Sequence, residues 1–77
     1  MRIRVQLESY LDQYATGDDP KFSLDIADGA TVADVLRKLM IPIDQASVLA
    51  LDDEAVEIGQ TLKEGDRLTV IPPVAGG

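Results

Sequence analysis

Apolar and polar residues alternate in two segments near the N-terminus, "MRIRVQLE" and "KFSLDI". A period of two is typical of a strand that buries one face, so both segments are predicted to be β-strands. The inward positions are Ile3, Val5, Leu7, Phe22, Leu24 and Ile26. The intervening "SYLDQYATGDDP" is longer than a tight hairpin needs. We therefore expect an irregular turn there, with Tyr10 or Leu11 tucked under the sheet.

In "TVADVLRKLM" the spacing of the apolar residues changes from every second residue to the spacing of an α-helix. Its apolar residues are spaced to form one helical face, and they are Val32, Val35, Leu36 and Leu39. Thr31 is a good N-cap residue, and Asp34 places a carboxylate near the free amides of the first turn. Since the residue before a proline disfavours helical geometry, Pro42 predicts that the helix ends near Met40.

Three strand-like segments follow the helix, and they are "SVLAL", "AVEI" and "RLTVIP". Between the last two, Leu62 is predicted to anchor in the core and Gly65 to reverse the chain. Pro72 and Pro73 have no amide hydrogen to donate, so regular strand pairing should end there.

The predicted order is strand, strand, helix, strand, short strand, strand. One helix covering one face of a mixed sheet of four to five strands is an α+β roll. The first and last strands both alternate cleanly, so we place them side by side at the centre of the sheet. This is the β-grasp arrangement known from ubiquitin. We expect residues 1–73 to form the domain and residues 74–77 a flexible C-terminal tail.

Composition narrows the functional classes. The 77 residues contain no cysteine and no histidine, which removes disulfides, thiol catalysis and the commonest metal ligand and general base. Fourteen acidic residues against seven basic ones give a net charge of −7, which argues against nucleic-acid binding and suits a basic protein partner. The acidic run from Asp52 to Glu54 is interpreted as a turn, without metal or bound cofactor. With no signal peptide or membrane span in the sequence, we expect a cytoplasmic protein.

The segment "PPVAGG" has the properties of a projecting tail. Two prolines favour a stiff, extended stem, and the four residues after them reach about 13 Å when extended. Gly76 and Gly77 lack Cβ atoms, so they fit a narrow tunnel in another protein. The group that such a tail presents is the α-carboxylate of Gly77. The chain has no glycine-rich phosphate loop with a lysine, so ATP-dependent activation of that carboxylate would come from a partner enzyme.

This ending resembles that of the ubiquitin-like sulfur carriers, above all the small subunit of molybdopterin synthase. That family typically ends in a strand followed by Pro-Pro-Val-x-Gly-Gly, matched here by Pro72, Pro73, Val74, Ala75, Gly76 and Gly77. The segments "LKEGDRLTVI" and "GATVADVLRKL" are also similar to the family's approach to the tail and to its helix entry. The resemblance covers most of the chain, and the tail is its specific part.

The resemblance implies a protein substrate rather than an enzyme. A ubiquitin-activating-type adenylyltransferase would use ATP to adenylate Gly77, and the adenylate would be converted to a thiocarboxylate. The tail would then enter the large molybdopterin synthase subunit, or another sulfur acceptor enzyme. Two features depart from the family, namely Asp52-Asp53 in place of an Asn-Gly turn and "QLE" in place of phenylalanines in the first strand. Both lie in the domain rather than in the tail, so they affect which partner is expected to bind.

Other interpretations stay open at this point. The carrier could serve thiamin, tungsten-cofactor or another sulfur metabolite, although the thiamin carrier usually lacks the Pro-Pro pair. Alternatives outside sulfur transfer are a protein-binding module that uses its acidic face and a ubiquitin-like modifier joined to lysines through Gly77. "SVLAL" is interpreted first as core, and second as a partner-binding face that includes Leu49 or Leu51.

Overall fold

A computed structural model describes residues 1–73 of the chain. These residues form five strands, one α-helix and two short 3₁₀ helices. The strands are β1 (Arg2–Leu7), β2 (Lys21–Asp25), β3 (Val48–Leu51), β4 (Glu54–Val56) and β5 (Arg67–Ile71), and the helix is α1 (Val32–Lys38). The 3₁₀ helices are Ser9–Tyr14 and Ile43–Gln45.

The five strands form one mixed sheet in the order β2-β1-β5-β3-β4. The first and last strands are parallel neighbours, with Arg4 opposite Arg67 and Leu7 opposite Val70. The other pairs are antiparallel. The predicted β-grasp fold is therefore confirmed, including the central position of β1 and β5.

The core lies between α1 and one face of the sheet. Alternate residues of β1 and β5 point into it, and Ile3, Leu68 and Val70 are fully buried. Leu62 is also buried and its amide donates to the carbonyl of Ala30 at 2.9 Å, which confirms its predicted role as an anchor. Gly65 reverses the chain with φ of 84°, a backbone conformation that glycine adopts without steric cost.

The start of α1 follows the sequence prediction closely. Thr31 and Asp34 form a reciprocal capping box, in which the Thr31 amide donates to the Asp34 carboxylate at 2.9 Å. The next two amides of the helix bind carbonyl groups that are distant in sequence. Val32 donates to the Gln60 carbonyl and Ala33 to the Ile58 carbonyl. This pairing fixes the N-terminus of the helix against the connection between β4 and β5.

The helix ends slightly before the predicted position. Lys38 is its last residue, and Met40 lies beyond it with φ of 62°. The Ile41 amide donates to the Leu36 carbonyl and the Met40 amide to the Arg37 carbonyl, which together form a Schellman motif. A methionine thus occupies the left-handed position that glycine usually fills in this motif.

Candidate docking site around the C-terminal stem

The C-terminal end of β5 is held from both sides. On one side the Glu8 amide donates to the Val70 carbonyl, and on the other the Ser47 amide donates to the Ile71 carbonyl, both at 3.0 Å. Because β1 and β5 are parallel, the segment that follows β1 leaves the sheet at this same edge. The first 3₁₀ helix therefore lies beside the point where the chain leaves β5.

The two prolines differ in their surroundings. Pro72 is buried and Pro73 is exposed, and neither belongs to a strand. The end of regular pairing at Ile71 confirms the prediction made from the missing amide hydrogens. The stem is therefore fixed to the body at Pro72 and becomes accessible at Pro73. The other predicted tail residues, Val74, Ala75, Gly76 and Gly77, lie outside the described residues.

Three exposed apolar side chains lie on the segments that hold this stem. They are Tyr10, Ile43 and Val48, with exposed fractions of 48%, 65% and 44%, and we call them the stem patch. The Tyr10 hydroxyl donates to the Gln45 side-chain carbonyl at 2.6 Å, which links the two 3₁₀ helices. Val48 lies directly opposite Ile71 in the β3–β5 ladder. Exposed apolar side chains thus lie on segments next to the chain exit, where a partner protein can cover them.

In the segment "SVLAL", the interpretation as core is confirmed for Leu49, whereas Val48 is exposed. Leu49 is only 7% exposed and belongs to the buried cluster, so it is not available to a partner. Leu51 shares the covered side of β3 and is half-buried at its margin. The burial of Leu49 contradicts the second interpretation, a partner-binding face, for that residue, and for Leu51 it stays a prediction. The accessible side chains of β3 alternate with Leu49 and Leu51 along the strand, and Val48 is the large apolar one among them.

The two residues of which one was predicted to lie under the sheet, Tyr10 and Leu11, differ in burial. Leu11 is completely buried, whereas Tyr10 projects from the surface. The segment between β1 and β2 contains a 3₁₀ helix, in which successive side chains point in different directions. Only one of the two residues can therefore face the core. Sequence reasoning considered Tyr10 only as a core residue and did not consider Ile43. Neither residue follows a strand or α-helix period, and their position beside the stem results from long-range packing.

The acidic turn contains no arrangement that suggests a metal centre. Asp52 and Asp53 connect β3 to β4, and Asp52 has φ of 55°. Within residues 1–73, no three acidic side chains converge so as to hold a metal ion. Over the same residues, no helix has the length and apolar character needed to cross a membrane.

Comparison with known proteins identifies the family. A model described as the ThiS family matches residues 9–77. No curated protein matches the chain significantly. Among solved structures, SAMP1 from Haloferax volcanii is 23% identical, with a TM-score of 0.75 and full coverage of both chains. A putative molybdopterin converting factor subunit 1 from Pyrococcus furiosus is 20% identical, with a TM-score of 0.72, covering 95% of this chain and 98% of that one.

A third solved structure contains two different proteins. It is the complex of subunits 1 and 2 of the molybdopterin-converting factor from Helicobacter pylori, with 21% identity and full coverage of both compared chains. Its TM-score is 0.63. At these levels of identity, the structural likenesses establish the fold of this chain.

Proposed function

Because the chain belongs to the ThiS family of ubiquitin-like sulfur carriers, we propose that it carries sulfur as a thiocarboxylate on Gly77. It acts as a protein substrate for partner enzymes. The observation that supports this proposal best is the position of the Pro72–Pro73 stem. The central strand of the sheet ends there, Pro72 is buried, and the sequence then continues as Val-Ala-Gly-Gly.

In this proposal the folded domain carries a short reactive segment. Four residues follow Pro73, and a fully extended chain of that length spans about 13 Å. A partner that contacts the stem patch can therefore receive Gly77 in a deep active site without distorting the sheet. The side-chain-free Gly76 and Gly77 allow passage through a channel that a larger residue would block.

The proposed chemistry proceeds in two steps. In the first, a Gly77 carboxylate oxygen attacks the α-phosphate of ATP, forming an acyl-adenylate and releasing pyrophosphate. In the second, a sulfide nucleophile attacks the acyl carbon and AMP leaves with the former carboxylate oxygen. The product is a C-terminal thiocarboxylate. Both steps take place in an adenylyltransferase of the ubiquitin-activating type, which supplies the ATP site.

We propose molybdopterin synthesis as the pathway that consumes this sulfur. The Pro-Pro-Val-x-Gly-Gly ending favours it over the thiamin pathway, whose carrier usually lacks the two prolines. The Helicobacter pylori complex provides a fold-level precedent for pairing with a second subunit. In this proposal the stem patch contacts the large synthase subunit while the tail occupies its active site.

Intact mass spectrometry tests the carrier function. The purified protein is incubated with the adenylyltransferase from the same genome, ATP and sulfide. We expect a mass increase equal to the replacement of one oxygen by sulfur, and fragmentation should place it at Gly77. Omission of ATP should prevent the change. An unchanged mass with an adenylyltransferase that is active on its own carrier would contradict the proposal.

Two variants separate the tail from the body. Deletion of residues 76–77 should abolish the mass change and leave thermal stability nearly unaltered, because terminal residues without side chains contribute few contacts to a domain. A matched variant, Met40→Ala, removes an exposed apolar side chain remote in sequence from the tail and should be modified normally. Isopeptide-linked adducts between Gly77 and lysines of other proteins would instead support the modifier function.

A further inference from the structure

The sheet face opposite α1 has an unusual charge distribution. Alternation along the paired strands places a defined set of side chains on this open face. These residues are Arg2, Arg4, Gln6, Lys21, Ser23, Asp25, Val48, Ala50, Ala55, Arg67, Thr69 and Ile71. Four of the chain's seven basic residues lie among them, but only one of its fourteen acidic residues does. A protein of net charge −7 thus has a basic sheet face.

Three cations are concentrated at one place on this face. Arg4 lies directly opposite Arg67 in the parallel β1–β5 ladder, and Lys21 is opposite Gln6, two residues further along β1. Neighbouring strands are about 4.8 Å apart, so the Arg4 and Arg67 backbones are close neighbours. Like charges opposite each other in a sheet are destabilising. We call Arg4, Lys21 and Arg67 the cationic cluster.

Intramolecular ion pairs compensate little of the positive charge of the cationic cluster. The carboxylate on the face, Asp25, is bound by the Arg2 guanidinium at 3.0 Å. Arg67 reaches only Asp53, at 3.8 Å, and that carboxylate is almost fully exposed. Arg4 and Lys21 form no ion pair with any other residue in the described range 1–73.

The cluster surrounds a shallow depression of about 320 Å³. Its rim contains the three cations, and the polar side chains of Gln6 and Ser23 also line it. The Gln6 side-chain amide already donates to the Glu8 carboxylate at 2.8 Å. The surface therefore offers mainly its charged donors to carboxylate side chains from outside.

The four residues after Pro73 are too few to reach Arg67, the cation of the cluster most distant from the stem. Arg67 begins β5, and Pro73 lies six residues beyond it, or about 20 Å along an extended chain. The four residues after Pro73 span at most about 13 Å. The Gly77 carboxylate therefore cannot serve as the counter-ion of Arg67.

We propose that the cationic cluster docks an acidic segment of a partner protein, separately from the stem patch. Carboxylates from the partner replace the missing intramolecular counter-ions and relieve the Arg4–Arg67 repulsion. A nucleic acid fits less well, because the remaining surface is strongly acidic and repels a phosphate polymer along its length. This proposal does not depend on sulfur transfer.

Titration of the full-length protein with a synthetic octaglutamate peptide tests the proposal. Amide chemical shifts are recorded at about 10 mM salt, where the Debye length is about 30 Å, and again at 0.15 M. We expect shifts confined to the neighbourhood of Arg4, Lys21 and Arg67, and weaker binding at the higher salt concentration. Absence of binding at low salt, or shifts of equal size around Arg37 and Lys63, would overturn the proposal.

Charge reversal identifies the residues responsible. Arg4→Glu and Arg67→Glu should each weaken octaglutamate binding by at least about threefold, because each removes an attraction and adds a repulsion. Lys63→Glu changes the net charge equally but lies outside the sheet face, so its effect should stay below about twofold. Far-UV circular dichroism confirms that each variant is folded. An equal effect of all three variants would indicate a non-specific response to net charge.

An octathymidylate titration compares the two classes of polyanion. We expect weaker binding than for octaglutamate at the same salt concentration, and shifts that do not centre on the cluster. Tighter binding of octathymidylate at Arg4 and Arg67 would overturn the assignment to a protein partner.

Discussion

The exposed Met40 gives a stability prediction that follows directly from the backbone. Its φ of 62° lies in the left-handed region, where an L side chain costs about 1–2 kcal/mol. Glycine has no such cost, but its greater freedom in the unfolded chain offsets about 0.4–1 kcal/mol of the gain. The Met40 side chain is 81% exposed, so its removal loses little buried surface. Met40→Gly should therefore stabilise the protein by about 0.5–1 kcal/mol.

Thermal unfolding followed by circular dichroism measures this effect. For a domain of this size, 0.5–1 kcal/mol corresponds to a rise in Tm of about 2–8 °C. Lys38→Gly provides the matched control, since Lys38 is also exposed but is the last residue of α1. That variant should lose about 0.5–1 kcal/mol. A Met40→Gly Tm equal to or below that of the parent protein would refute the reasoning.

Further predictions concern the core and the helix N-terminus. Leu62→Ala should lower the free energy of unfolding by about 2–5 kcal/mol, measured in urea, because the side chain is buried beneath the connection before β5; a loss below 1 kcal/mol would contradict this role. Thr31→Ala should cost about 1 kcal/mol through loss of the cap, whereas Thr16→Ala, in an exposed loop, should be neutral. Hydrogen bonding from the Thr31 backbone lowers the pKa of Asp34 from its ordinary 3.8. Its contribution is therefore fully present above about pH 4 and lost as the pH falls through the lowered folded-state pKa, so the stability difference between the parent protein and Asp34→Asn should shrink as the pH is lowered below about 4; a difference that stays constant with pH would contradict it.

Local pattern was sufficient to predict most of the fold. The strand alternation, the Thr31–Asp34 cap and the reversal at Gly65 each depend on residues close together in sequence, and the structure confirms them. The adjacency of β1 and β5 was also predicted, because both strands carry a clean apolar face that must be covered. For Leu49 the structure confirmed the core interpretation over the surface one, because β3 is the strand next to central β5.

The surfaces around the site could not be predicted in the same way. The cationic cluster depends on the register that sets Arg4 opposite Arg67, and these residues are far apart in the chain. A shift of one position would have turned one of them toward the core side. The hydrogen bond from Tyr10 to Gln45 likewise joins two short 3₁₀ helices that have no common sequence period. Such contacts follow from the assembled topology rather than from any single segment.

The parallel pairing of β1 and β5 has a mechanical consequence. Met1 lies at the start of β1 and Pro73 follows the end of β5, so the two ends of the described chain lie at opposite ends of the β1–β5 ladder. Tension between them loads the hydrogen bonds from Arg4–Arg67 to Leu7–Val70 in shear, and these bonds must break together rather than one after another. Resistance to force is governed by the unfolding barrier rather than by equilibrium stability. An enzyme that pulls on the tail would therefore load the sheet in the direction in which its hydrogen bonds resist force most.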